Sequence, residues 1–456
     1  MNWPTWPLWR IVRIIGGGTP SKGNPAYWNG HLPWVSPKDM TGRNIADTQD
    51  HIAETALEET TTHLVPPGSV LLVVRSGILV HTIPVAISRV PLTLNQDMKA
   101  LIPIDGSING DFLAYFLQSC SGTLLSNYVK RGATVHSIDV GRLREMPVPT
   151  PAPSEQRRIV EILDRADEVR RKRAEADQKA ERILPAIFYR MFGDPTINRS
   201  GWTQDQLGNL LHEGKAALQS GPFGTHLHNS DFVEEGSILA VGIDNVHDTG
   251  FRIGRNRRIT EEKYEELKKF TLEPGNVLIT IMGTVGRTCV FPAWAGRAIC
   301  TKHVYRIQTD RNRLDPDFLS SSIRFCPAVR VQLGQSVTGQ IVDGITSKVL
   351  EDLKLEIPPL PLQEKFVRLK QSLDLDFKRR TKAGEKVERL FQSLLHRAFS
   401  GDLTAKWRQA HMKELLQEME AQARALATTD TNDTPALDLI TEPALGKNAA
   451  RRARPC

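Results

Sequence analysis

Two stretches of the chain share one hydrophobic rhythm. From Gln156 onward, Ile159, Ile162, Ala166, Val169, Arg173, Ala176, Ala180, Ile183 and Ile187 follow at alternating steps of three and four. From Gln363 onward, Phe366, Leu369, Leu373, Asp376, Arg380, Ala383, Val387, Leu390 and Leu394 repeat the same phase. That spacing puts the apolar set on one side of a helix and is the signature of a pairing seam. Each stretch opens behind prolines (PVPTPAPSEQ and IPPLPLQEK) and closes near Gly193 or Gly401, as helix starts and stops require. A helix of about 38 residues spans roughly 57 Å, too long for the interior of a small domain, so two half-apolar helices are expected to pair antiparallel. Arg173 and Arg380 interrupt the seam; snorkelling to solvent is the expected reason, with register or a hinge as the alternative. Ahead of each helix the rhythm shortens. The runs SVLLVV at 69–74 and NVLITI at 276–281, each behind a Pro-Gly turn, predict strands, and short helices are expected around 111–126 and 317–332.

These parallels reflect a repeat of about 207 residues. Pro67, Gly68, Val70 and Leu71 return as Pro274, Gly275, Val277 and Leu278, and DFL at 111–113 returns at 317–319. Some eleven extra residues enter the second copy early, in the loop containing EGKAALQSGPFG. The predicted fold class is α+β: two β-rich domains (1–150 and 195–357), each followed by a long helix (151–194 and 358–402). A pseudo-twofold internal repeat would then set the domains at opposite ends of a helical rod. Residues 403–456 are read as a short amphipathic helix followed by an unfolded tail from about 428.

Composition narrows the class. The 456 residues are 40% apolar and 24% charged, as in ordinary globular proteins. No apolar run reaches the roughly 18 residues of a membrane helix, no secretory signal is visible, and a cytoplasmic location is expected. Five cysteines, never spaced CxxC, indicate neither a disulfide framework nor a zinc site. The net charge of +7 suggests nucleic acid, but residues 1–150 carry +1 and 201–357 carry −1, while 151–200 carry +2 and 358–456 carry +5. Phosphate neutralisation by the β-rich domains must therefore come from local clusters.

Several motifs occur in a telling order: GGGTPSKGNPAYW at 16–28, LPWVSPKDM at 32–40, NQDMKAL at 95–101, GATVHSI at 132–138, SEQRRIVEILD at 154–164, PLQEKFV at 361–367 and HRAFSGDLT at 396–404. In this order they resemble the specificity subunits of type I restriction-modification enzymes, over about residues 1–408. The resemblance implies a non-catalytic subunit with two target-recognition domains, each reading half of an asymmetric bipartite site in double-stranded DNA, and with the paired helices fixing the spacer. It further implies two modification subunits, methylating adenine with S-adenosylmethionine, and two restriction subunits using ATP and Mg; no cofactor or metal is expected in this chain. The second copy departs from the pattern, with SGPFG at 220–224 where the first has GGGTP, and TKHVYRI at 301–307 where it has NQDMKAL.

Other chemistry is weaker. NPAY at 24–27 lacks the second proline of an adenine-methyltransferase motif and reads as a turn; GGGTPSKG lacks the ending of a P-loop. Asp205, Glu213 and Lys215 could make a nuclease triplet, and His226 with His228 a metal pair, only with partners the sequence does not show. Bases are read by Arg, Lys, Asn and Gln, with Thr and aromatics adding methyl or stacking contacts. The DNA-binding candidates in the first domain are Thr19, Lys22, Lys38, Arg43, Arg75 and Ser76, in polar loops flanking strands. In the second they are Arg252, Arg255, Arg257 and Arg258, with Lys302 and His303. The helix positions expected to pair or dock partners are Ile159, Ile162, Ala166, Val169, Arg173 and Ile183 in the first helix. In the second they are Phe366, Leu369, Leu373, Arg380, Val387 and Leu390. The rival functions are a free-standing bipartite DNA-binding regulator and a nuclease acting alone.

Overall fold

A computed structural model describes residues 3–104, 107–132, 135–193, 201–213, 217–222, 226–334 and 345–428. The fold is α+β and divides into two units, residues 1–171 with 386–456, and residues 172–385. The tail read as unfolded lies, beyond the last helix, outside the described residues.

The first unit is built on a five-stranded sheet in the order Val12–Gly16, Met98–Pro103, Val70–Val73, Val85–Ser88, Asn44–Ile45. Its pairs are antiparallel except the last. Val70 to Val73 are all buried, which explains why this run is continuously apolar rather than alternating. A second sheet sets Leu32–Val35 between His51–Ile52 and, in parallel, Thr93–Leu94. The helix Gly110–Ser119, capped by the Asn109 side chain, buries Phe112, Leu113, Tyr115 and Leu117 in the unit's core.

The second unit repeats the plan. Its four-stranded antiparallel sheet runs Leu218–Ser220, Val304–Ile307, Val277–Thr280, Thr288–Val290. Beside it Ile238–Val241 pairs in parallel with Ala298–Cys300. The helix Pro316–Phe325, capped by Asp315, takes the place of Gly110–Ser119. Cys289, Cys300 and Cys326 are buried; burial pushes the Cys289 and Cys300 thiols up to about 12, so they are core residues.

A buried glutamine joins each domain to its long helix. Gln156 accepts the Asn109 backbone N–H at 2.7 Å and donates to the Pro151 carbonyl at 2.8 Å. Gln363 accepts the Asp315 backbone N–H at 2.9 Å and donates to the Pro358 carbonyl at 2.8 Å. The first unit adds a second anchor. Glu155, almost wholly buried, receives Thr404 Oγ1 at 2.6 Å, Arg408 Nε at 2.7 Å and Trp3 Nε1 at 3.1 Å. The C-terminal helix Met412–Thr428 completes it, with Glu418 accepting the Ser154 N–H at 2.8 Å.

The long helices differ from expectation in two ways. The second is continuous over Leu360–Phe399, but the first stops at Glu181 and resumes as Ile183–Phe192. Pro185 explains the break: it has no N–H to give to the Glu181 carbonyl four residues back, and its ring crowds that carbonyl. The seam is also displaced. Ile159 and Phe366 are buried, and Ala166, Arg173, Leu373, Arg380 and Val387 half-buried, as the rhythm predicts. Their inward partners lie at i+4 rather than i+3: Leu163, Arg170, Asp177 and Leu184, and Lys370, Phe377, Gly384 and Phe391. Ile162 is half-buried at the seam's margin, while Val169 and Leu390 are about three-fifths exposed and Ile183 and Leu369 also face outward. The charged inward residues are neutralised locally. Arg170 bonds Asp167 at 2.6 Å and stacks on Phe391 at 4.2 Å within the first unit. In the second unit Arg173 does not snorkel; it bonds Asp177 at 2.9 Å and donates to the Arg380 carbonyl at 2.6 Å.

Candidate nucleic-acid interface

In the first unit the motifs separated in sequence converge on one three-residue turn, Asn95-Gln96-Asp97. The Asn95 N–H bonds the Val35 carbonyl at 2.9 Å, the Met98 N–H returns to the Asn95 carbonyl at 3.2 Å, and the Val74 N–H bonds the Asp97 carbonyl at 2.9 Å. These backbone bonds hold the turn, and the Asp97 N–H adds one to Asn95 Oδ1 at 3.0 Å. The GGGTP loop lies against it so closely that a Cβ on Gly17 would sit 2.0 Å from the Asn95 oxygen, which only glycine permits. Trp34 Nε1 pins the same loop by donating to the Gly18 carbonyl at 2.9 Å. Thr19, exposed at the loop's tip, donates from Oγ1 to Gln96 Oε1.

The second unit builds the same turn from Thr301-Lys302-His303. The Thr301 N–H bonds the Val241 carbonyl at 2.9 Å, the Val304 N–H bonds the Thr301 carbonyl at 3.0 Å, and the Ile281 N–H bonds the His303 carbonyl at 3.0 Å. Gly221, from SGPFG, takes the part of Gly17: a Cβ there would lie 2.2 Å from the Cys300 oxygen. The two motifs that break the sequence pattern therefore occupy matching places in their own units. Gln96 and Lys302, the middle residues, are both exposed.

The turns gather some of the residues picked from sequence. Arg75, extended into solvent, is 3.9 Å from Asp97, and Ser76 accepts the Ile78 N–H at 3.3 Å. Lys38 follows the strand that holds the turn and pairs with Asp50 at 2.7 Å; Lys22 is exposed in the GGGTP loop. His303 is half-buried, its Nδ1 without a hydrogen-bond partner among the described residues; burial, then Lys302, holds its imidazole below the ordinary pKa.

The arginine run is shaped by Asp244 and Asn245. Asp244 Oδ2 accepts the Arg255 N–H at 2.8 Å, and Asp244 Oδ1 stands 3.4 Å from Arg257 as an ion pair without a hydrogen bond. Asn245 exchanges bonds with the Arg252 backbone at 3.0 and 3.1 Å. Arg258 is turned inward to Asn256 and the Gly236 carbonyl, and Arg252 bonds Thr249. Arg255 is the member of the run whose side chain is exposed and makes no hydrogen bond or ion pair among the described residues. A Cβ on Gly242 would lie 2.9 Å from Arg257 Nη1 and 3.7 Å from Thr301 Oγ1, so this run borders the turn.

Arg43, another candidate, is engaged within its own unit. Its guanidinium bonds Asp111 at 2.6 Å and Asp164 at 2.9 Å and lies 3.8 Å above the Tyr115 ring, with only 12% of the side chain exposed. It ties the domain to the first long helix within the unit, since charge-assisted bonds to two carboxylates hold the nearly buried guanidinium. In the second unit Lys370 performs that task, bonding Asp317 at 2.8 Å and Asp374 at 3.1 Å.

NPAY is a turn, its Asn24 side chain capping Pro25–Trp28. Asp205 is engaged by Asn209 and Arg313, and Lys215 lies outside the described residues. Among the described residues, no group of three His, Cys, Asp or Glu could hold a metal, and no helix is long and apolar enough to cross a membrane.

Comparison with known proteins accords with this architecture. The profile of the type I restriction modification DNA specificity domain matches residues 2–181. The chain is 43% identical over 169 residues to the EcoR124I/EcoR124II type I restriction enzyme specificity subunit of Escherichia coli, spanning 37% of this chain and 41% of that protein. It is 24% identical over 383 residues to the MjaIX specificity subunit of Methanocaldococcus jannaschii, covering 82% and 87%. In fold it is similar to a chain from a study of complex assembly and conformational transition in a type I R-M system, with TM-score 0.56, 18% identity and coverage of 88% and 98%. The S subunit from M. genitalium gives TM-score 0.50, 14% identity and coverage of 87% and 96%.

Proposed function

We infer that this chain, which belongs to the family of type I restriction-modification specificity subunits, is the DNA-reading, non-catalytic component of a methylating and cutting complex. Each unit presents one recognition domain to half of an asymmetric bipartite target in double-stranded DNA. The long helices pair as an antiparallel coiled coil under a pseudo-twofold repeat and set the unspecified spacing. Two modification subunits and, for restriction, two restriction subunits dock on the assembly. S-adenosylmethionine, ATP and Mg act in those partners.

The observation that carries this reading is the turn built twice. One backbone scaffold, held by three matching hydrogen bonds in each unit, presents Asn-Gln-Asp in one and Thr-Lys-His in the other. A shared frame with different side chains is what reading two different half-sites requires, because base identity is distinguished by side-chain donors and acceptors in the groove. The near-zero charge of the two domains agrees: their affinity rests on such placed contacts, with the partners adding phosphate contacts.

The test is to express the chain with the modification subunit encoded beside it and sequence the methylated DNA. A bipartite asymmetric motif, dependent on this chain, is expected. Methylation without such a motif, or the same motif without the chain, overturns the reading.

A further inference from the structure

We propose that Gln96 and Lys302 are paired specificity-determining residues, Gln96 reading an A·T pair in one half-site and Lys302 a G·C pair at the matching place in the other. This deepens the bipartite reading and rests on it. Both residues occupy the middle of a turn held by the same three backbone hydrogen bonds: Asn95 to Val35, Met98 to Asn95 and Val74 to Asp97 in the first unit, and Thr301 to Val241, Val304 to Thr301 and Ile281 to His303 in the second. Each turn is pressed outward by a glycine, Gly17 or Gly221, that no larger residue could replace without moving it. Each middle side chain is exposed while its flanking residues are buried or half-buried, so it is the part of the turn that can reach a groove.

The chemistry of the two positions differs. The hydroxyl of Thr19 donates to Gln96 Oε1, orienting the amide. A carbonyl oxygen has two lone pairs, so Gln96 keeps one acceptor site and both N–H donors. An amide so presented matches adenine, accepting from N6 and donating to N7. Lys302 offers donors and no acceptor, which matches guanine O6 and N7 and clashes with an adenine amino group.

The experiment compares methylated motifs of the intact complex carrying Gln96→Ala, Gln96→Lys, Lys302→Gln or Lys302→Arg. Gln96→Ala is expected to relax one A·T position by about 5- to 150-fold and leave the other half-site unaltered. Gln96→Lys and Lys302→Gln should exchange A·T for G·C and the reverse, each in one half-site, while Lys302→Arg keeps guanine. Gln96→Ala, Gln96→Lys or Lys302→Gln variants that methylate the original motif, a Lys302→Arg variant that no longer selects guanine, or an even loss of methylation across all sequences overturn the assignment, the last marking a phosphate contact. If the unaltered complex yields no bipartite motif, the function proposed above fails first, and this inference with it.

Discussion

Replacing Arg43 by alanine separates the two roles that sequence and structure assign to it. The guanidinium is 12% exposed and its main partner Asp111 21%, so the pair is largely out of water. Removing one partner of a buried pair costs about 3–5 kcal/mol, because the remaining charge is stranded. Two features moderate this. Asp111 keeps Arg89 at 2.6 Å, and Asp164 is 46% exposed, so solvent can satisfy it. The lower end, about 3 kcal/mol, is therefore expected, including the lost stacking on Tyr115 at 3.8 Å. A unit made of residues 1–171 and 386–456 falls in the size range where each kcal/mol lowers Tm by roughly 2–4 °C. Scanning calorimetry should accordingly show a transition displaced downward by about 6–12 °C, with Arg43→Lys intermediate because lysine keeps the charge but not the planar fork. Below the lowered transition, the methylated motif should be unchanged. An unshifted transition combined with an altered motif would refute the structural assignment and return Arg43 to the DNA-contacting set.

Two further outcomes follow from buried groups. Gln156→Ala and Gln363→Ala each strand a backbone N–H and a carbonyl, costing about 2–4 kcal/mol in the unit that holds the glutamine. Hydrogen exchange should show lost protection confined to that unit, and spreading into the other would contradict the division. At His303 the folded chain favours the neutral imidazole, so above about pH 6.5 its contribution to stability is complete. As pH falls through that value the unfolded chain takes the proton first, and stability is lost down to the lowered folded pKa. His303→Asn should remove this acid sensitivity; parallel stability curves for the two proteins between about pH 7 and 5 would contradict it.

The strands after the Pro-Gly turns and the long helices were legible because each is written in local spacing. The seam was misplaced by one residue for a physical reason. Apolarity favoured Val169 over Arg170 and Leu369 over Lys370, and the phase so set was carried on to Ile183 and Leu390 in place of Leu184 and Phe391. The inward charges were invisible without their partners, Asp167 for Arg170 and Asp317 for Lys370. The helix break at Arg182 was foreshadowed by Pro185, since a proline inside a periodic run removes a bond four residues back. Arg43 sat in a polar loop as a DNA-reading residue would, and only the tertiary approach of Asp111 and Asp164 shows how it is engaged. Gln96 lay inside a quoted motif, but nothing local marks the middle of a turn as exposed while Asn95 beside it is buried. The register of three strands decides that.

The backbone-held turn also bears on how such a protein diversifies. None of the three main-chain hydrogen bonds that fix it depends on the side chain at position 96 or 302, and neither residue belongs to the packed core. A mutation there leaves the fold's stability almost untouched, as exposed substitutions do. The glycine beneath, by contrast, admits no alternative without displacing the turn. Change is therefore channelled to the outermost side chain, and in each half of the molecule separately. One half can drift to a new preference while the other retains the old one, so a lineage can explore new combinations one position at a time without passing through an unfolded intermediate.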